Sequence, residues 1–366
     1  MNRRAFVPAD PVTLLQDVCE VTSPVLQVIL ERARVKSRPG ARTDDHLVCL
    51  AVEGGGMRGA VSAGMCVVLE AAGLVPAFDR IYGVSAGALN GWATAAGQAA
   101  LSATHYQDAA NRRMINPMRP LVGRPVIDFD FLFDDVIGAR KPLSFAAMSG
   151  GPEFRALATS LETLSLRVLA SFSDANELAQ AVRASSSLPR LGGRPPLFRG
   201  ERMVDGGMIE AIPFETALRE GATHVLALRS RPAGYRKTRR SELSEALALR
   251  DDPRLAGLLK GRRGGYNRQA VELERVTADG GSRVLQIAVP EHTRLIGRLE
   301  TSPTRVIDAL RIGAEAMGAA IFTKTIDLCW QPAVYESAGV TAAAREPSVS
   351  PAARWRPLAR GDAAGA

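Results

Sequence analysis

Between residues 46 and 99 the chain twice runs from a short apolar stretch through a glycine-bearing turn into a helix-like segment. No other feature narrows its folding options as far. Residues 46–52 are β-branched and apolar, Gly54-Gly55-Gly56-Met57-Arg58-Gly59 follows, and residues 60–72 then carry helix-forming side chains. Residues 80–84 are again short and apolar, and Ser85 leads into a second helix-like run to Ala99. Strand, tight turn and helix in succession predict parallel strands with helices packed on their faces, so the expected class is α/β with a mainly parallel central sheet. Further strands are expected at residues 166–172, 202–204, 223–228 and 284–289, with helices at 176–185, 214–220 and from 303 to about 328. Pro213 and Gly221 suit the first turn and the C-terminal cap of the helix between them.

Ahead of the first unit, Val12, Leu14, Leu15, Val18, Val25, Leu26, Ile29 and Leu30 recur mostly at helical spacing, interrupted by Pro24. They predict an N-terminal helical arm, and Ser37, Pro39, Gly40 and Thr43 mark a linker. The expected organisation is arm and linker over 1–45, one main domain over 46–330, and a tail over 331–366 whose Ala, Pro, Arg and Gly content predicts disorder.

Gly83-Val84-Ser85-Ala86-Gly87 fits G-x-S-x-G in the setting that pattern requires, a strand end turning sharply into a helix. Ser85 is then a candidate nucleophile on a strained turn, with Gly83 and Gly87 permitting close packing. The glycines of 54–59 can aim backbone N–H groups at one point and hold the negative charge of a tetrahedral intermediate. Arg58 adds a positive charge there, and an ion pair with a nearby carboxylate is its equally weighted structural role. The same six residues fit G-x-G-x-x-G, with Asp79 placed as if to bind a ribose. That fingerprint needs its acidic residue at the carboxyl end of the second strand, whereas Asp79 precedes residues 80–84, so a dinucleotide is not expected. Asp205-Gly206-Gly207 follows the strand expected at 202–204. Such a tripeptide is most often a turn, and an Asp, ordinarily ionising near 3.9, becomes a useful base only where burial raises that value.

In this order and in these settings, Gly-Gly-Gly-x-Arg-Gly, Gly-x-Ser-x-Gly and Asp-Gly-Gly resemble the patatin-like phospholipases. Residues 184–189, Ala-Ser-Ser-Ser-Leu-Pro, add to a resemblance that covers 47–221 well and extends more weakly to 328. It implies a three-layer α/β/α patatin-like fold with a mainly parallel central sheet, and a lipid acyl hydrolase working through a Ser-Asp dyad without histidine. Ser85 would be the nucleophile and Asp205 the base. Gly55 and Gly56, with the neighbouring N–H groups of Gly54, Met57, Arg58 and Gly59, would form the oxyanion hole. Arg58 would orient that loop or meet a phosphate, and Gly206 and Gly207 would shape the turn at the base. No metal or organic cofactor is implied. Three alternatives stand beside this reading: a Ser85-Asp205 triad completed by His224 or His292, acyl transfer to an alcohol, and a non-catalytic binding role on the same fold.

Composition, with 46% hydrophobic and 23% charged residues, is that of an ordinary globular protein. Cys19, Cys49, Cys66, Cys329 and the four histidines show no metal-binding spacing. The net charge of +8 is concentrated in residues 229–268, which hold twelve Lys/Arg against four carboxylates. This stretch reads as a basic insertion, solvated or lying on a lipid interface. In the interfacial case Leu243, Ala246, Leu247, Leu255, Leu258 and Leu259 would face lipid while Arg250, Arg254, Lys260, Arg262 and Arg263 meet anionic headgroups. Pro253 is expected to break any helix there. The expected partners are a lipid or other acyl ester and an anionic membrane surface, with no nucleic acid. No signal peptide and no membrane span is expected, so the expected location is cytoplasmic with peripheral membrane contact. Five Lys against 41 Arg, with abundant Ala, resembles the coding bias of a GC-rich bacterium.

Overall fold

Val48-Cys49-Leu50-Ala51-Val52 is apolar at every position because this strand is covered on both faces, as the central strand of a parallel sheet must be. The structure, a computed structural model, describes residues 23–188, 191–238, 253–279 and 283–322, together with a short pairing of 326–327 with 356–357. In chain order its main elements begin with α1 (Pro24–Arg34), β1 (Val48–Val52), α2 (Ala60–Ala71), β2 (Arg80–Val84), α3 (Ala86–Ala95) and α4 (Ala99–Ala109). They continue with β3 (Glu153–Ser160), β4 (Leu166–Leu169), α5 (Ala175–Ser186), β5 (Leu197–Phe198), β6 (Glu201–Asp205) and α6 (Phe214–Arg219). The last are β7 (His224–Leu228), α7 (Pro253–Ala278), β8 (Val284–Ile287) and α8 (Pro303–Ile321).

The sheet runs β5-β6-β3-β2-β1-β7-β8, with β4 also pairing β3. From β3 to β8 every pairing is parallel, and β4, β5 and β6 are joined antiparallel. Alternation along β1 divides the interior. Val48, Leu50 and Val52 join a core shared with α1, α2, α3 and α8, whereas Cys49 and Ala51 join a second core with α6 and α7. Two helical layers thus enclose one sheet, the three-layer α/β/α class expected from the sequence.

The parallel register aligns the carboxyl ends of β1, β2 and β7, pairing Val52 with Gly83 and with Leu228. Whatever follows those strands therefore gathers at one edge of the sheet, where open α/β sheets bind ligands.

Several elements differ from expectation. β3 was not foreseen: its sequence EFRALATS lacks the branched apolar run of an interior strand, and Arg155 interrupts it. Pro24 begins α1, since a proline in the first turn has no N–H to leave unpaired, and the apolar run ahead of it lies outside the described residues. Pro253 likewise begins α7, a helix of 26 residues, and residues 239–252 ahead of it lie outside the described residues. Leu255 and Leu259 do not face a lipid surface; they are buried against Leu161, Val204 and Met208, with Leu258 packed beside them. Leu243, Ala246, Leu247 and Arg250 of the expected interfacial segment lie outside the described residues, as do residues 12–18 of the arm and nearly all of the tail.

The linker is fastened to the domain. Arg32, buried, donates to Asp44 and Asp79 and to the carbonyls of Ala77 and His46, while Arg42 donates to Asp79. Asp79 also accepts the N–H of Val48 at 2.8 Å. It is thus committed to ion pairs at the amino end of the sheet, away from any cofactor position.

Helices α2 and α8 cross with backbone nearly on backbone. A Cβ on Gly64 would intrude on the Leu310 carbonyl, and one on Gly313 on the Val61 carbonyl. Gly64→Ala and Gly313→Ala are each expected to lower stability by about 1–3 kcal/mol, the usual range for overpacking. Urea unfolding midpoints measure this, and unchanged midpoints in both variants would contradict the close crossing.

Candidate active site

Ser85 occupies the turn between β2 and α3 with φ 56 and ψ −128, a left-handed conformation uncommon for a side chain with a Cβ. The close approach of its neighbours imposes this turn. A Cβ on Gly83 would strike the Gly87 carbonyl and Ala88, and one on Gly87 the carbonyls of Val52 and Glu53. Only glycine at both positions lets α3 fold back against β1 and β2. The Ser85 N–H donates to Ser185 Oγ at 3.0 Å, and Ser185 Oγ in turn donates to the Leu157 carbonyl at 2.6 Å.

Asp205 ends β6, paired with Ala158 of β3, and is 3% exposed. Ser85 stands near enough to its side chain to favour the ionised carboxylate. Oδ1 also accepts the Gly207 N–H at 2.7 Å, so the Asp-Gly-Gly turn orients its own carboxylate. Burial raises the pKa of Asp205 above the ordinary Asp value, against the opposing pull of Arg262, Ser85, Gly207 and Arg298. The Asp205 N–H donates to the Ser187 carbonyl at 2.8 Å. The serine cluster at 185–187 therefore braces both Ser85 and Asp205. Sequence reasoning noted that cluster by resemblance but assigned it no role.

The glycine loop follows β1 and meets the Ser85 turn directly. A Cβ on Gly54 would stand 2.9 Å from Ser85 Cβ and 2.6 Å from the Val84 carbonyl oxygen. Among the described residues no acceptor takes the N–H groups of Gly54, Gly55 or Gly56, whereas the Met57 N–H donates to the Arg298 carbonyl and the Arg58 N–H to the Gly55 carbonyl. Met57 and Arg58 thus drop out of the expected set of oxyanion donors. Gly59 serves packing: its carbonyl accepts from Asn90 Nδ2 at 2.9 Å, and a Cβ there would collide with Tyr106 and Ala86.

Below this loop, Glu53 is buried and accepts from Arg229 Nε at 3.2 Å, the Ser230 N–H at 2.7 Å and Tyr266 Oη at 2.8 Å. Burial alone would raise its pKa, but Arg229, Arg231 and Arg58 pull it below the ordinary value. Ser230 Oγ completes the brace by donating to the Gly54 carbonyl at 2.9 Å. Arg229 is therefore an interior ion-pair partner, not part of a solvated basic insertion.

Ser85, Asp205 and the glycine loop line one cavity of about 180 Å³. Its walls include the apolar Leu89, Ile115, Ile127, Phe129, Phe133 and Leu191, and it also carries Arg58, Arg231, Lys237, Arg262 and Arg298. Arg58 is 7% exposed, and its buried Nε has no hydrogen-bond partner among the described residues. Burial and the neighbouring Arg231 lower its pKa to about 10. The ion pair weighed for Arg58 is thus not formed with any described carboxylate.

Neither histidine of the expected triad alternative lines this cavity. His224 begins β7 and meets His46 edge-to-face with ring centres 4.6 Å apart, four strand positions or roughly 13 Å from the carboxyl edge. His292 lies in an exposed turn beyond β8. The histidine that does line the cavity is His105, which the sequence did not single out. It is fully buried, its Nε2 lies 2.8 Å from the Lys141 carbonyl, and burial lowers its pKa to about 4. Cys49 and Cys66 are buried free thiols raised to about 12 by burial. No cluster of metal-ligating side chains occurs among the described residues.

Residues 50–218 match the family described as Patatin-like phospholipase. The chain is 27% identical over 191 residues to the uncharacterized protein YjjU of Escherichia coli strain K12, covering 51% of this chain and 52% of that one. The chain thus spans about half the length of the curated relative it matches. Among solved structures it is similar to VipD from Legionella pneumophila, with 12% identity, 76% of this chain and 67% of that chain covered, and a TM-score of 0.38. It is also similar to human GIVD cytosolic phospholipase A2 bound to methyl gamma-linolenyl fluorophosphonate, with 10% identity, 87% and 65% covered, and a TM-score of 0.39.

The raised pKa of Asp205 carries a stability consequence. A carboxyl that binds its proton more tightly folded than unfolded contributes stability below its unfolded pKa, and that contribution is lost as pH rises through the folded value. Asp205→Asn is therefore expected to raise Tm at pH 8 while changing it little at pH 4. Thermal unfolding across pH tests this, and a destabilised variant at pH 8 would reverse the sign assigned to burial.

Proposed function

We propose that the chain is a serine-dependent carboxylic ester hydrolase acting on lipid acyl esters, with its catalytic unit in the domain over 46–330. The observation that carries this reading is that Ser85 and the buried Asp205 line one cavity whose walls are largely apolar. Apolar walls suit an acyl chain, and the cationic side chains suit a phosphate or another anionic group near the scissile ester.

Ser85 Oγ attacks the ester carbonyl while Asp205 accepts its proton, and the carbonyl oxygen becomes an oxyanion facing the N–H groups of Gly54, Gly55 and Gly56. As the tetrahedral intermediate collapses, Asp205 returns the proton to the leaving alcohol and an acyl-Ser85 remains. Water then gives a proton to Asp205 and attacks the acyl carbon. The second collapse releases the carboxylic acid, and Asp205 reprotonates Ser85. The desolvation of Asp205 makes its ionised form a stronger base than a surface aspartate.

Turnover of p-nitrophenyl esters by the wild type, Ser85→Ala and Asp205→Asn tests the assignment once all three are shown to be folded. Loss of the base is expected to cost about 10²- to 10⁴-fold in kcat, and Ser85→Ala to abolish both turnover and covalent labelling by a fluorophosphonate. The acidic limb of the wild-type pH profile is expected above the ordinary Asp range. His224→Ala and His292→Ala are expected to keep wild-type turnover; a loss of several thousandfold in either would replace the dyad with a triad.

A further inference from the structure

Three large apolar side chains stand in solvent within five positions: Met118 at 60%, Leu121 at 78% and Val122 at 73% exposure. They occupy the tip of a loop with a built base. Ile115 and Ile127 form a β-bridge, the Asn116 N–H donates to the Val126 carbonyl at 2.8 Å, and the Asp128 N–H to the Met114 carbonyl at 2.8 Å. The tip itself is braced. Residues Arg119–Val122 form a tight helical turn, the Gly123 and Arg124 N–H groups donate back to Pro120 and Arg119, and the Arg119 side chain reaches the Arg113 carbonyl and Asp128. A floppy segment would expose apolar groups only transiently. This one holds them outward, which requires compensation by something outside the chain.

Charge and position say what that something is. Arg112 and Arg124, both exposed, flank the tip and pair with no carboxylate among the described residues, while Arg113 joins Asp135 at 3.1 Å. Apolar side chains at the tip with cations behind them match the layering of an anionic lipid surface, acyl region beneath charged headgroups. The base of the same loop supplies Met114, Ile115, Ile127 and Phe129 to the walls of the Ser85 cavity. One continuous segment therefore links the apolar tip to the proposed acyl site.

We propose that the loop over 116–124 is a lipid-surface anchor, which seats Met118, Leu121 and Val122 among the acyl chains of an anionic membrane and brings the cavity to its substrate. This rests on the lipid hydrolase reading above, and it relocates the expected membrane contact from residues 229–268 to the loop beside the acyl cavity.

Vesicle binding by the Ser85→Ala protein tests the anchor without any dependence on catalysis. Flotation with phosphatidylcholine vesicles containing phosphatidylserine is expected to carry the protein up, and vesicles of phosphatidylcholine alone to carry much less. Adding Leu121→Asp to that background is expected to lower binding at least tenfold with Tm unchanged, since the side chain already stands in water. Arg112→Glu with Arg124→Glu is expected to remove the phosphatidylserine dependence. No binding by the Ser85→Ala protein, or equal binding with and without Leu121→Asp, would overturn the anchor and leave the esterase assignment untouched. A dimer in sedimentation that Leu121→Asp dissociates would assign the tip to a second copy of the chain, also overturning it. Vesicle binding in a protein whose wild type neither turns over esters nor labels at Ser85 would support the anchor and reject the hydrolase.

Discussion

The left-handed backbone at Ser85 is the constraint around which the site is arranged. A non-glycine residue held there costs on the order of 1–3 kcal/mol and persists only where the surroundings over-determine it. Here the surroundings do so from three sides. Gly83 and Gly87 let α3 press against β1 and β2, Ser185 accepts the Ser85 N–H, and Gly54 brings the glycine loop to within contact of Ser85 Cβ. The same packing that stabilises the turn places the hydroxyl beside the buried Asp205 carboxyl. Strain and function share one cause, because a helix that relaxed away from the strand would lose both the turn and the alignment.

A second principle is the use of buried charge to position backbone. Glu53 and Arg229 are interior, and a pair so placed adds little net stability compared with apolar side chains of similar size. Its effect is geometric: it ties the end of β1 to the end of β7 and to Tyr266 of α7, and Ser230 passes that order to the Gly54 carbonyl. Asp79 plays the corresponding part at the opposite edge, anchoring Arg32 and Arg42. The cavity at the carboxyl edge keeps its cations Arg58 and Arg231 close to Glu53 without a direct ion pair to Arg58. Positive potential is thereby preserved where an anionic group of a substrate would sit.

Much of this was legible in the residues. The two strand-turn-helix units, the glycine loop, the Ser85 turn and the Asp205 turn all appear as local patterns, because each carries its glycines at fixed short spacings, although what most of those glycines pack against lies about thirty or more positions away. β3 was illegible because two of its buried positions are alanines and Arg155, within it, pairs with Glu220, so no branched apolar run marks it. α7 was misread for the opposite reason: its leucines and arginines look interfacial, yet Leu255 and Leu259 are core and Arg262 Nε donates to the Gly207 carbonyl at 3.0 Å, beside Asp205. His105 offered no signal, being a lone histidine in a helix.

By itself the sequence indicated the α/β class, the family resemblance and the candidate nucleophile, base and oxyanion donors. Only the tertiary structure decided which of those groups are available. The Met57 N–H is taken by Arg298, more than two hundred residues away, and the Arg229 charge is taken by Glu53 across 176 positions. The tertiary structure also set the burial that raises the pKa of Asp205 and kept His224 from the site. The reason is physical: turn geometry depends on neighbours along the chain, whereas hydrogen-bond partners, burial and the local field depend on neighbours in space.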